Sequence, residues 1–151
     1  MKATDLLRQQ HDEMKDLLQQ LGQVESTDRG AIRQAFATML RAHNQTEEEL
    51  FYPRFEGESD ITERLEESSR EHDQALIALG ELERCSVDAF DFKDFVDSLE
   101  QHLLEHVDIE ESEVIPKAES LWTEGMLNEL GNAIKQRFDE LCESAGFEER
   151  V

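Results

Sequence analysis

The sequence predicts an all-α protein, an antiparallel up-down four-helix bundle carrying one additional C-terminal helix. Three observations predict it. Apolar residues recur at alternating steps of three and four along five segments of the chain. Only two of the 151 residues are proline, and the strong helix formers Leu, Glu, Gln, Arg and Ala are frequent. The polar breaks between segments are short, and long helices joined by short connections lie antiparallel. A chain of this length forms one domain with a sizeable core. The four-helix part spans about residues 4–118.

The first helix runs from about Asp5 to Val24 on the stripe Leu7, His11, Met14, Leu18 and Leu21, with Thr4 or Asp5 as its cap. The second runs from about Asp28 to Tyr52 on Ile32, Phe36, Met39, His43, Glu47 and Leu50. Pro53 ends it, because the residue before a proline avoids helical geometry. After the connection Gly57-Glu58-Ser59-Asp60, the third runs from about Ile61 to Arg84 on Ile61, Leu65, His72, Leu76 and Leu79. The fourth runs from about Phe90 to Ile115 on Phe92, Phe95, Leu99, His102, His106 and then Ile109 or Glu110, and Pro116 closes it. A weaker fifth helix covers about residues 120–145 on Leu127, Leu130, Ile134, Phe138 and Leu141, with Gly125 and Gly131 counting against its first half.

Charge excludes several functions. Acids outnumber bases 37 to 15, a net charge of −22, which repels nucleic acids and anionic membranes. No apolar run reaches membrane-spanning length, and the N-terminal residues lack the apolar core of a signal peptide. Cys85 and Cys142 stand 57 residues apart with no CxxC pair, so a reducing cytoplasm is the expected setting. The expected partner is a small molecule, with a protein partner or a homo-oligomer left open.

The chemistry lies in an internal repeat. His43, Glu47 and Pro53 recur as His106, Glu110 and Pro116 at an offset of 63, and His11-Asp12 recurs as His72-Asp73 at an offset of 61. Each half therefore reads His, a gap of 32 or 34 residues, then His-x-x-x-Glu. A histidine and a glutamate four apart share one helix face, and here that face is the apolar seam. A buried glutamate without a partner costs on the order of several kcal/mol, comparable to the whole stability of a small domain. A metal ion compensates that cost, and mixed imidazole and carboxylate ligands suit iron, manganese or zinc. A single histidine on an apolar seam is usually a hydrogen-bonded core residue; here all five histidines of the chain fall on seams. The Glu-x-x-His pattern of ferritin-like sites is absent, as are His-Glu-x-x-His, a phosphate loop and a serine-hydrolase elbow. Glu48, Glu49 and Glu111 read as solvated surface, and Tyr52 and Trp122 as packing residues.

His11, His43-x-x-x-Glu47, His72 and His106-x-x-x-Glu110, each Glu pair followed by an apolar residue and proline, resemble the hemerythrin-like cation-binding (HHE) domain. The resemblance implies two non-haem iron ions bridged by carboxylates, binding or reacting with dioxygen, peroxide or nitric oxide. It implies His11 and His43 on one iron, His72 and His106 on the other, and Glu47 and Glu110 between them. Oxygen-carrying members have two histidines four apart on the third helix, and on the fourth a histidine followed five residues later by aspartate. Here the position four after His72 is Leu76, and the fourth helix instead carries His102 one turn before His106. His102 either supplies the fifth imidazole or sits behind the ligands or in the core, since His102 to Glu110 spans about 12 Å of helix. The implied activity is oxygen binding, redox defence or sensing, with catalysis left open. The alternative is an iron- or oxygen-responsive module that signals through a protein partner.

Overall fold

In the computed structural model, which describes residues 1–150, the helices are α1 (Ala3–Gln23), α2 (Ser26–Thr46), α3 (Thr62–Arg84), α4 (Phe92–Ile109), α5 (Ile115–Leu121) and α6 (Glu124–Arg150). The first four form the bundle, with α1 against α2 and α4, and α3 against α4 and α2. α6 lies over the α1–α2 side. No helix among the described residues is long and apolar enough to cross a membrane.

The apolar stripes bury as two separate cores. One contains Met14, Leu18, Phe36, Leu79, Phe92 and Leu99. The other contains Leu7, Phe51, Phe55, Val114, Ile115 and Ile134. His11 falls between Leu7 and Met14 on α1, so the histidine level of the bundle lies between the two cores.

The ends of the long helices differ from the sequence expectation in one instructive way. α2 and α4 each pass into a single π-helical turn, Glu47–Phe51 and Glu110–Val114, whose first residue is the repeated glutamate. A π turn holds an extra residue per turn and occurs mostly at functional sites. After the first, a 3-10 turn (Tyr52–Phe55) contains Pro53 and ends the helical path. After the second, Pro116 does not close the helix as expected. It lies in the first turn of α5, where a missing N–H costs least, and the helical path continues to Leu121. Thr4 does not cap α1; it lies inside the first turn, and its hydroxyl donates to Glu119 Oε2 at 3.1 Å.

Glycine is required at two positions. Gly57 turns the chain after the 3-10 segment at φ 91°. Gly131, inside α6, lies under the N-terminal backbone. A Cβ there would collide with the Met1 carbonyl oxygen and stand 2.8 Å from the Ala3 nitrogen and 3.0 Å from the Lys2 carbonyl carbon. The glycine that weakens α6 as an isolated helix is therefore what lets the chain start pack across it.

Alanine in a helix interior ordinarily gains about 1 kcal/mol over glycine. At Gly131 the clash with backbone outweighs that gain. Gly131→Ala is expected to lower stability by about 1–3 kcal/mol, the range of overpacking, read as a lower Tm. A raised Tm would show that the N-terminal residues leave α6 freely.

Candidate metal centre

Six of the seven residues singled out in the sequence meet at the centre of the bundle. His11 comes from α1, His43 from α2, His72 from α3 and His106 from α4, while Glu47 and Glu110 open the two π turns. All six are buried, with both glutamates fully so. They form two overlapping groups, His11, His43, Glu47 and Glu110, and Glu47, His72, His106 and Glu110. Within each group the ligand-type atoms lie within 4.8 Å of one another, and the two glutamates belong to both. The seventh residue, His102, is in neither group and is partly exposed. The buried residues of α4 are Phe92, Val96, Leu99, Leu103, His106 and Val107. His102 sits at the edge of that face, about 6 Å below His106 along the axis.

The inward atoms have few partners. His43 Nε2 lies 3.1 Å from Glu47 Oε1, His11 Nε2 3.2 Å from Glu110 Oε1, and His106 Nε2 3.3 Å from Glu110 Oε2. His72 Nε2 lies 3.0 Å from Glu47 Oε1. Yet the Nε2 atoms of His11, His43 and His106, together with Glu47 Oε2 and Glu110 Oε1, are buried and make no hydrogen bond. Buried polar atoms are nearly always satisfied. Five unsatisfied ligand-type atoms spread over the two overlapping groups therefore fit metal binding, since a cation accepts lone pairs from imidazole nitrogens and carboxylate oxygens together.

The outward atoms are all held. Nδ1 of His11 lies 2.7 Å from Glu111 Oε2, Nδ1 of His72 2.8 Å from Glu48 Oε1, and Nδ1 of His106 2.9 Å from Glu71 Oε1. Nδ1 of His43 lies 2.7 Å from Gln10 Oε1. A carboxylate or amide oxygen only accepts, so each Nδ1 carries a proton, and in the neutral form that a metal ion takes each ring turns its Nε2 lone pair inward. Glu48 and Glu111, read from the sequence as solvated surface, are thus part of the centre. Tyr52 is too: its hydroxyl donates to Glu110 Oε2 at 2.6 Å and lies 3.3 Å from His72 Nε2. The sequence signal that could have found Glu48 and Glu111 is the repeated Glu-Glu pair, because a duplicated pair suggests two duties. Trp122 is a packing residue, its ring 4.7 Å from that of Phe55.

The electrostatics follow. Burial alone would lower His11, but Glu110 and Glu111 outweigh it and raise the imidazole to about 9. His72 is likewise opposed by burial and raised by Glu47 and Glu48 to about 8. Burial wins at His43 and lowers it. Burial opposes ionisation of Glu47, but the surrounding imidazoles hold it well below the usual carboxylate range. Burial and the Glu110 and Glu47 carboxylates push the Tyr52 hydroxyl well above its usual value, so it remains a donor.

Fold and site together define a helical-bundle protein with a buried imidazole–carboxylate centre that fits metal binding. The Hemerythrin HHE cation binding domain model matches residues 2–118, and the chain belongs to that family. It is 34% identical over 118 residues to a DNA nickase of Nostoc sp., a match covering 74% of this chain and only 32% of that protein. It is 27% identical over 144 residues to Rv2633c of Mycobacterium tuberculosis, covering 93% of this chain and 88% of the relative. The crystal structure of a Hemerythrin HHE cation binding domain-containing protein from Mycobacterium kansasii, an Rv2633c homolog, superposes with a TM-score of 0.89 at 26% identity. That match covers 100% of this chain and 93% of the other, so α6 belongs to the shared fold although it lies beyond the family match.

The raised imidazoles have a measurable consequence. His11 and His72 are protonated at neutral pH without metal, whereas a metal ion takes the neutral ring. Metal uptake at pH 7 is expected to release protons, and affinity is expected to rise with pH as His72 and His11 lose their protons through about 8 and about 9. Without metal the sign reverses for stability. A raised pKa stabilises fully below the ordinary value of about 6.5. That contribution is lost as pH rises through about 8 and about 9. Titration calorimetry in two buffers of different ionisation heat measures the first effect; uptake without proton release would contradict it.

Proposed function

We propose that the centre holds two iron ions, His11 and His43 binding one, His72 and His106 the other, with Glu47 and Glu110 shared between them. The observation that carries this is the overlap of the two four-residue groups, since two carboxylates common to two imidazole pairs are what a bridged pair requires. Mixed imidazole and carboxylate ligation suits iron. When bound, such a pair supplies redox chemistry toward dioxygen, peroxide or nitric oxide.

The chain's own residues define the rest. Four imidazoles and two carboxylates leave room for a small exogenous molecule, because His102 is outside both groups. A groove of about 530 Å³ on the α2–α3 side is bordered by Asn44, Glu48, Ser69 and His72, and it reaches the centre's outer edge at His72. Tyr52 holds a proton 2.6 Å from Glu110 Oε2 and keeps it at neutral pH. It can therefore orient that carboxylate and donate a hydrogen bond to a polar ligand nearby. The apolar cores above and below exclude bulk water. Oxygen binding, redox defence and sensing all use these properties, and the departure from the oxygen-carrier ligand pattern favours redox defence or sensing.

A second reading, a regulatory module that reports metal or oxygen to a protein partner, is favoured by the Nostoc relative. There the matching segment is a minority of a longer protein named as a DNA nickase. The net charge of −22 argues against nucleic acid as a direct partner of this segment.

Metal quantitation with optical spectra, with and without oxygen, tests the leading reading. About two irons per chain are expected, with an oxygen-dependent change in the visible spectrum. Glu47→Ala is expected to lose both irons, whereas His102→Leu is expected to keep both with an unchanged spectrum. A folded protein from iron-rich medium holding no iron would sink the reading. Loss of one iron from His102→Leu would restore His102 to the site.

A further inference from the structure

The four outward contacts obey the internal repeat with one exception. Glu48 and Glu111 are equivalent, each holding the first histidine of the other half, His72 and His11. Gln10 and Glu71 are also equivalent, each preceding the first histidine of its half and holding the second, His43 and His106. Three imidazoles are therefore backed by a carboxylate, and His43 alone by a neutral amide.

α6 explains the exception. It covers only one side of the bundle, and Gln10 lines the groove between α1 and α6 with Gly131, Lys135 and Phe138. Gln10 is 4% exposed. Glu71 is 20% exposed and also receives Arg64 Nη2 at 2.9 Å. Glu111 and Glu48 are 32% and 40% exposed. A carboxylate is tolerated where water or a guanidinium reaches it. Under α6 neither does, and an amide is the group that still accepts from Nδ1 without burying a charge.

A carboxylate on Nδ1–H draws the proton toward itself and makes the ring a stronger donor at Nε2; an amide oxygen does this less. We propose that Gln10 is a positioning residue that makes the two metal positions unequal, the His11–His43 position holding its ion more weakly than the His72–His106 position. This rests on the two-metal reading above. Losing such an outer partner typically changes metal affinity about 10–100-fold, so a difference of that order is expected between the positions. The weaker position is then the one that empties or exchanges first, while Glu47 and Glu110 stay anchored by the ion that remains.

The probe is ferrous iron itself. The full chain is loaded with two equivalents under anaerobic conditions and challenged with a chelator. The wild type is expected to release iron in two phases of equal amplitude. Glu71→Gln, at a partly exposed position, is expected to speed the slow phase about 10–100-fold so that the phases merge. Gln10→Glu is expected to slow the fast phase; because it buries a charge, Glu71→Gln serves as the decisive variant if it does not fold. Mössbauer spectra of the loaded diferrous protein provide a readout independent of kinetics. Two resolved iron environments are expected in the wild type, and closer ones in Glu71→Gln. A wild type that binds two irons and releases both in one phase overturns the inequality but leaves the two-metal reading intact. Two phases that persist unchanged in Glu71→Gln overturn the role of the outer contacts. A protein that binds fewer than two irons defeats the two-metal reading itself.

Discussion

Two carboxylates in the middle of an apolar bundle set the terms for everything else. Glu47 and Glu110 have no solvent exposure, and each buried charge carries a penalty of several kcal/mol in practice. The four imidazoles surround them and, among the described residues, are the buried groups within reach that can become cationic. Three outer carboxylates and the Gln10 amide then hold those imidazoles in one orientation. Remove the buried pair, and neither the histidines nor their outer partners have a reason to occupy the centre of a bundle otherwise filled by Leu, Phe and Val.

The scaffold answers that demand with layers. Apolar cores lie on both sides of the histidine level, so each ligand side chain emerges from a helix fixed above and below. Preorganisation of this kind keeps donor atoms in place without an ion, at the expense of leaving them unsatisfied. The π turns belong to the same arrangement. By opening a wider turn at Glu47 and Glu110, they let two consecutive glutamates meet one histidine from its two sides, Glu47 and Glu48 at His72 and Glu110 and Glu111 at His11.

The sequence revealed the parts of this that repeat with helical spacing. His43 and Glu47, and His106 and Glu110, share a face because they stand four apart, and the duplicated pattern brought His11 and His72 to the same level. What it concealed was what periodicity cannot encode. Glu48 and Glu111 lie off the seam and look solvated unless the widened turn is known. Gln10 and Glu71 lie next to seam residues, and their contacts depend on which helices are neighbours. Pro116 read as a terminator because the turn that accommodates it is set by hydrogen-bond register rather than by residue type. His102 satisfied the periodicity and still fell outside both groups, since one helical turn of displacement along an axis is invisible to a stripe of apolar residues.

The exchange of outer partners between the halves bears on how the chain assembles. Glu111 of the second hairpin steadies His11 of the first, 100 residues earlier, and Glu48 of the first steadies His72 of the second. Neither hairpin can complete its own half-site in isolation. Contacts so distant along the chain close only after the loops between them have been ordered, which places them late in folding. A metal ion held at the centre would then be a record that both hairpins have docked, because a chain with one hairpin displaced keeps only part of the histidine–glutamate cluster.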